Sequence, residues 1–452
     1  HDLAVEAAGP AGPAAPAGAA TGRATADARR HALMLDALSD MAAVRKKAQR
    51  GKALAAADHL VLQPGEERRR TSSHYTPRSL SAPIVERTLE PLLRAMGDAP
   101  TVDQLLELKI CDPAMGSGAF LVAACDYLGD QLVAAWTREG ALEQVAKDAP
   151  GEDPVLYARR LVAQRCLYGV DKNDAAVELA KLSLWLFTLA RDRPFTFLDH
   201  ALRHGDSLVG LSFEQIRNFT WEPESELKGL GKLGAQLDLS HQELDAALGE
   251  AIPIRQKILE LAKDPSDEAQ AEKEQLVFQA ADALDRVRLI GDVIVGAFFA
   301  ETKKKAREKE KERRRALVQR WLAGNEEAGV ELRQLQAEIR ARLPVFHWML
   351  EYPEVFWSER ADPLAMWATD GEAYMDAFVG NPPFAGKNGI TAGGGPGYLE
   401  WLQAAHAGAH GNADLCAHFF LRVANLLGGH GTFGLIGTNT IAQGDTRATG
   451  LK

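Results

Sequence analysis

Leu108-Lys109-Ile110-Cys111-Asp112-Pro113-Ala114-Met115-Gly116-Ser117-Gly118-Ala119-Phe120 is the stretch that decides the fold. A short apolar strand, Leu108 to Cys111, ends on Asp112 and delivers the chain to a loop with two glycines one residue apart. A helix, Ala119 to Trp136, follows at once. Gly116 and Gly118 permit positive φ and let a ligand come close to the backbone, and the start of the helix favours electronegative ligand groups. The loop is not a phosphate-binding Walker loop, because no Gly-Lys-Ser/Thr follows. It is not Gly-x-Gly-x-x-Gly either, because Leu121 stands where the third glycine would be. Taken alone, the turn reads equally as a tight bend.

Working outward, strands and helices keep alternating. Leu156 to Gln164 reads as a helix, Cys166 to Val170 as a strand ending on Asp171, and Asp174 to Ala190 as a helix. A third short strand precedes His204-Gly205-Asp206-Ser207-Leu208. The pattern resumes at Ala377 to Gly380, continues through a Gly-rich loop (Gly386 to Gly397) and a helix over Cys416 to Leu427, and ends in a strand at Thr432 to Ile436. Gly428 to Gly431 reads as a helix-stop turn into that strand. Alternation of this kind predicts an α/β fold, a parallel sheet flanked by helices.

Between the two α/β stretches, residues 213–345 are rich in Glu, Lys, Gln, Leu and Ala and predict a helical insertion, with a long antiparallel pair. Within it, Glu301 to Arg320 carries five Lys and five Arg against four Glu. That run is either a solvated helix face or a surface that meets phosphates. At the other end, residues 7–27 are almost entirely Ala, Gly, Pro and Thr and read as a linker. Residues 28–57 have helical spacing and read as peripheral helices, and the compact part is expected to begin near Thr71.

The 452 residues suggest about three domains, and 46% hydrophobic with 25% charged residues excludes disorder throughout. No apolar run approaches the ~20 residues needed to cross a bilayer, and the first thirty residues lack a signal peptide's apolar region. Cys111, Cys125, Cys166 and Cys416 form no CxxC pair, so neither a zinc site nor a disulfide framework is expected, and a reducing, cytoplasmic setting fits. All four sit in apolar strand or helix settings and read as core residues. A net charge of −10 argues against a chain that is basic all over, while leaving room for a local nucleic-acid groove. The chain begins at His1 without a methionine and stops at Lys452 soon after a buried strand, which suggests part of a longer protein.

Three further pieces carry chemistry. Asp171 closes the second strand, where a carboxylate can accept both ribose hydroxyl protons; alone it reads as a helix-capping acid. Asp206-Ser207 alone reads as a cap. Gly380-Asn381-Pro382-Pro383-Phe384 follows a buried strand. Its prolines remove backbone donors and stiffen the turn, its amide offers an acceptor, and Phe384 offers a flat face. An exocyclic amine on a ring would use all of these; the bland reading is a rigid turn with a core Phe.

In this order the four pieces resemble the adenine-N6 DNA methyltransferases of the gamma group, whose cofactor motif precedes an Asn-Pro-Pro-Phe motif. Ser73-His74-Tyr75-Thr76-Pro77 resembles the Tyr-Thr-Pro segment of that group, with His74 where the family usually has an aromatic. The likeness covers roughly 71–212 and 346–452. The helical insertion is like that of the large methylases of type IIG restriction–modification and of BREX and DISARM phage-defence systems, with Gly437 to Arg447 most like the DISARM group.

The resemblance implies a class I, Rossmann-like methyltransferase sheet using S-adenosyl-L-methionine. Asp112, Pro113, Ala114, Gly116, Gly118 and Phe120 would shape the methionine pocket, with Tyr75 and Thr76 closing it. Asp171 would take the ribose hydroxyls, Lys172 and Asn173 would flank the adenine ring, and Asp206, Ser207 and Leu208 would lie beside it. Asn381 and Pro382 would accept the N6 hydrogens of an adenine flipped from double-stranded DNA, with Pro383 stiffening the loop and Phe384 stacked on the base. No metal is implied. The usual role is marking self DNA in a bacterial, nucleoid-associated setting beside other restriction or defence subunits. A target-recognition domain is expected outside this chain. RNA or protein-glutamine methylation, or a non-catalytic DNA-binding subunit, are the competing readings. No Pro-Cys occurs, so cytosine-C5 chemistry, which needs an activated thiolate, is disfavoured.

Overall fold

A computed structural model of the chain describes residues 76–188, 197–223, 238–264, 266–357, 359–360, 362–364, 367, 374–406, 408–442 and 444–450. All belong to one compact unit, Ser72–Lys452. The expected linker at 7–27, the helices at 28–57, and His74 and Tyr75 lie outside the described residues.

The first α/β stretch runs α1 (Arg78–Ala95), α2 (Val102–Glu107), β1 (Ile110–Asp112), α3 (Ala119–Glu139), α4 (Leu142–Asp148), α5 (Pro154–Arg165), β2 (Leu167–Asp171), α6 (Asp174–Phe187) and β3 (Leu202–His204). The helical insertion follows as α7 (Phe213–Arg217), α8 (Asp238–Glu260), α9 (Asp267–Ala283), α10 (Asp285–Ala300), α11 (Lys304–Leu322) and α12 (Glu326–Arg342). The short α13 (Trp348–Glu351) leads to β4 (Met375–Gly380), α14 (Lys387–Gly394), α15 (Tyr398–Ala405), α16 (Leu415–Leu426), β5 (Leu427–Leu435) and α17 (Gly444–Gly450).

The five strands form one parallel sheet in the order β3-β2-β1-β4-β5. Strand and helix alternation predicted this mixed α/β architecture, and its Rossmann-like form is the one that the family resemblance implied. Side chains alternate across the sheet. Ile110, Leu167, Ala377 and Val379 enter a core shared with α1, α3, α5 and α6. Cys111, Tyr168 and Phe378 enter the opposite core, against Phe346, Trp348, Tyr352 and the α16 residues Val423 and Leu426. Both faces are covered, so the strands read as short apolar runs. Chain order reverses between β1 and β4, and the carboxyl ends of strands at such a switch point border the crevice where α/β sheets bind ligands.

α3 shows how the deciding stretch folds. Gly118 precedes it at φ +82° and Gly140 closes it at φ +69°. Phe120, Leu121, Ala124, Cys125, Leu128, Leu132, Ala135 and Trp136 line its buried side. A β-carbon on Gly129 would stand 2.8 Å from Cγ of Arg159, so this glycine lets α5 approach α3.

In the insertion, α10 is buried from Leu289 to Phe299 and forms the axis of the helical core. α11 and α12 are joined at Gly324 (φ +93°) and Asn325, which caps α12, giving an antiparallel pair. Among the described residues no helix is long and apolar enough to cross a membrane.

Two expectations are corrected. The segment expected as a Gly-rich loop, Gly386 to Gly397, contains α14, because Ile390 is buried in the insertion's core and tertiary packing overrides glycine's poor helix propensity. Gly428 to Gly431 is no helix-stop turn but part of β5. Met375 pairs with Leu427 and Ala377 with Thr432, so the glycines are taken up in a bulge. A β-carbon on Gly431 would lie 2.5 Å from Cγ of Leu427 and 3.1 Å from the Asp376 carbonyl.

Candidate methyltransferase site

β1 ends on Asp112 and β4 ends on Gly380, side by side at the switch point. A β-carbon on Gly380 would sit 2.6 Å from Oδ1 of Asp112, so no larger residue fits there. Asn381 is the next residue along the chain. Oδ1 of Asp112 accepts from the Ala114 amide at 3.0 Å and shapes the bend into the glycine loop. Burial pushes the Asp112 carboxyl up to about 8, opposed by that amide and reinforced by the Asp171 charge.

The glycine loop is pinned to the second strand. The Met115 amide donates to the Val170 carbonyl at 3.0 Å, and the Gly116 amide donates to Oδ2 of Asp171 at 2.8 Å. Oδ1 of Asp171 accepts from the Asn173 amide at 2.8 Å. Each carboxylate oxygen can accept a second hydrogen bond. Burial raises the Asp171 carboxyl, against the pull of the Asn173 and Gly116 amides. Gly116 has φ +55° and nothing within 4 Å of where a β-carbon would stand, whereas the same position on Gly118 meets Ala180 Cβ at 3.2 Å. Open space at Gly116 beside a carboxylate with spare acceptor capacity fits a ribose-bearing cofactor. Phe120 is buried in the core.

The third loop closes the other side. Ser207 Oγ donates to the Pro113 carbonyl at 2.5 Å, which ties this loop to the glycine loop. Oδ1 of Asp206 accepts from the Leu208 amide at 3.1 Å. Lys172 Nζ lies 2.9 Å from Oδ2 of Asp206, and Tyr398 donates its hydroxyl to the same carboxylate. The Lys172 ammonium also stands 4.7 Å from the Tyr398 ring centroid. Lys172 and Asp206 are therefore brought together as an ion pair capped by an aromatic. Asn173 caps α6 through the Ala175 amide. Tyr398 was missed by the sequence reading, since an aromatic after a glycine run carries no signal of a partner 192 residues away.

The Asn-Pro-Pro-Phe loop follows β4. Asn381 Nδ2 donates to Thr76 Oγ1 at 3.3 Å, while Asn381 Oδ1 is buried without a hydrogen-bond partner. Pro382 is buried, and Pro383 and Phe384 are half-buried. Downstream, Ala385 donates its amide to Oδ1 of Asp414 at 3.3 Å and accepts from the Leu415 amide at 2.8 Å. Asp414 also caps α16. An Asp before an apolar helix is a readable N-cap signal, and here it steadies the loop as well. A buried, unpaired amide oxygen costs about 1–3 kcal/mol and calls for a donor from outside the chain.

The comparisons with known proteins agree with this geometry. The model of the Eco57I restriction-modification methylase family matches residues 165–450, and that of the MmeI DNA-methyltransferase domain matches residues 99–205. The putative type II restriction enzyme and methyltransferase RM.MjaORFECS2P of Methanocaldococcus jannaschii is 33% identical over 129 residues, which is 26% of this chain and 10% of that protein. The type II restriction enzyme and methyltransferase RM.Eco57I of Escherichia coli is 25% identical over 162 residues, 33% of this chain and 16% of that protein. The matches thus span a small part of those relatives' length. With the parallel sheet, the glycine loop and the Asn-Pro-Pro-Phe loop on adjacent strand ends, the chain belongs to the Eco57I restriction-modification methylase family.

Proposed function

We propose that the chain transfers a methyl group from S-adenosylmethionine to the N6 amine of an adenine flipped out of double-stranded DNA. The observation that carries this is the buried, unpaired Oδ1 of Asn381, one residue beyond β4 at the switch point of the sheet. An exocyclic amine brings two N–H donors on a flat ring, and Phe384, three residues on, offers a flat face to stack on.

S-adenosylmethionine, when bound, supplies an electrophilic methyl group. The chain does the rest. Asp171 accepts hydrogen bonds from the ribose hydroxyls, and the open side of Gly116 lets the ligand approach the backbone. Asn381 Oδ1 and the Pro382 carbonyl accept the two N6 hydrogens, which holds the nitrogen lone pair toward the methyl carbon. Catalysis on this reading is positioning and electrostatics, with no covalent enzyme intermediate. The adenine must leave its base pair, because its N6 is otherwise inside the stack. Self-marking in a restriction–modification or DISARM-like defence system, beside a nuclease or other subunits, is the role this activity would serve.

The test is to incubate the chain with unmethylated duplex DNA and labelled S-adenosylmethionine, then identify the product nucleosides by mass spectrometry. N6-methyldeoxyadenosine that disappears in Asn381→Ala supports the reading. Methyl on another base, or on RNA or protein instead, overturns it.

A further inference from the structure

The chain carries a net charge of −10, yet the proposed substrate is a polyanion, so positive charge must be concentrated where DNA lies. α11 is where it is concentrated. Its buried side is Arg307, Arg314, Leu317 and Val318. Around the helix, Lys305, Lys309, Arg313 and Arg320 fall within ~80° of one another on the opposite side, with ~6 Å of rise between positions four apart. All four are exposed.

How the charges pair separates a merely solvated face from a docking face. Three other cations of this helix are matched: Lys311 with Glu308, Arg314 with Glu310, and Arg315 with Glu312 at 3.6 Å; Arg307 donates to the Glu301 carbonyl. On the ridge itself, Arg313 is held by Glu310 and Glu331, and the exposed Glu312 borders it, about 20° around the helix from Lys305. Lys305, Lys309 and Arg320 have no ion-pair partner among the described residues.

The ridge also begins in the right place. Arg307, in the first turn of α11, has Nη2 3.8 Å from where a β-carbon on Gly397 would stand. Gly397 leads into Tyr398, which reaches Asp206. Arg342, at the end of the paired helix α12, donates to the Phe299 carbonyl at 3.0 Å and to the Pro396 carbonyl. The start of the basic helix therefore lies near the segment that leads into Tyr398, which the end of α12 holds through Arg342.

We propose that the solvent face of α11, from Lys305 to Arg320, binds the sugar–phosphate backbone of the DNA substrate. This rests on the reading of DNA as substrate and adds a surface that fixes the duplex without reading its sequence.

The test measures binding of the full chain to an unmethylated duplex over a series of salt concentrations. Each phosphate contact contributes about 0.9 to the slope of log K against log salt. The triple variant Lys305→Ala, Lys309→Ala, Arg320→Ala is expected to flatten that slope by about 3 and to weaken binding at least about 10-fold near physiological salt. Alanine suits exposed helix positions, and an unchanged unfolding temperature verifies the fold. The control is Arg87→Ala, Lys147→Ala, Lys263→Ala, which removes the same charge from other exposed positions. A flattened slope in the α11 variant alone supports the ridge. No change there, or the same change in both variants, overturns it. Failure of the unaltered chain to bind DNA at any salt is a different result, and overturns the DNA reading on which the ridge rests.

Discussion

Asn381 Nδ2 donates to Thr76 Oγ1 at 3.3 Å, and with its nitrogen so engaged the amide keeps Oδ1 buried and unpaired. This bond ties the candidate catalytic amide to Thr76, just ahead of α1. Asn381→Ala is expected to lower the single-turnover rate about 10²–10³-fold, the scale of losing one preorganised polar group. It should leave the unfolding temperature nearly unchanged, because it removes an unsatisfied group. Thr76→Ala is expected to cost about 10-fold at saturating cofactor, while Thr76→Ser, which keeps the hydroxyl, should recover most of it. If Thr76 acts through Asn381, adding Thr76→Ala to Asn381→Ala costs little more. Additive losses would place Thr76 in a separate role.

The two glycines of the candidate cofactor loop are expected to fail in different ways. Gly116 has φ +55° and open space at its β-position, so Gly116→Ala should cost only about 1–2 kcal/mol of backbone strain. Its methyl would stand in the space assigned to the cofactor, and S-adenosylmethionine affinity measured by calorimetry should fall by at least about 10-fold. Gly118 has φ +82° and meets both Cβ (3.2 Å) and Cα (3.3 Å) of Ala180. Gly118→Ala should therefore lower the unfolding temperature more than Gly116→Ala does. The reverse order of unfolding temperatures would contradict the loop geometry.

Asp112 gives a pH dependence whose sign can be worked out. Burial raises its carboxyl to about 8 in the folded chain, against about 3.9 when unfolded. Between those values the folded chain keeps a proton that the unfolded chain has lost. The contribution is therefore fully present below about pH 4 and is lost as pH rises toward about 8. Asp112→Asn, neutral at every pH, removes this dependence. Relative to the unaltered chain, the variant should be more favoured in denaturant unfolding at pH 8.5 than at pH 4.5. A difference between the two chains that does not change with pH would show that Asp112 is ionised in the fold.

Much of this arrangement was legible in the sequence because it is local. The strand ending on Asp112, the two glycines and the apolar spacing of α3 all lie within one short stretch, and periodicity reports them directly. The same holds for β4 and the Asn-Pro-Pro-Phe loop after it. What was not legible depends on partners far away in sequence. Tyr398 on Asp206 and Ser207 on the Pro113 carbonyl exist only once segments far apart in the chain have folded together. Ile390 makes α14 a helix despite its glycines, because it has a core to enter. Gly428 to Gly431 carry the signal of a stop, and only the pairing of β5 with β4 turns them into a bulge.

The cysteines provide a test that opposes two chemistries. Cys111, Cys125, Cys166 and Cys416 are all buried as free thiols. Burial, first among the causes in each, drives the Cys111 and Cys125 thiols far up, Cys166 to about 12 and Cys416 to about 11. A thiol held protonated inside a core is neither a nucleophile nor readily alkylated. Iodoacetamide at pH 8 should therefore label none of the four within the time that labels all four in denaturant, as counted by intact-mass spectrometry. Methyl transfer by the treated chain should match that of the untreated chain. Rapid labelling of one cysteine, with loss of transfer in proportion and protection by DNA, would put a thiolate in the reaction and remove Asn381 from the centre of it.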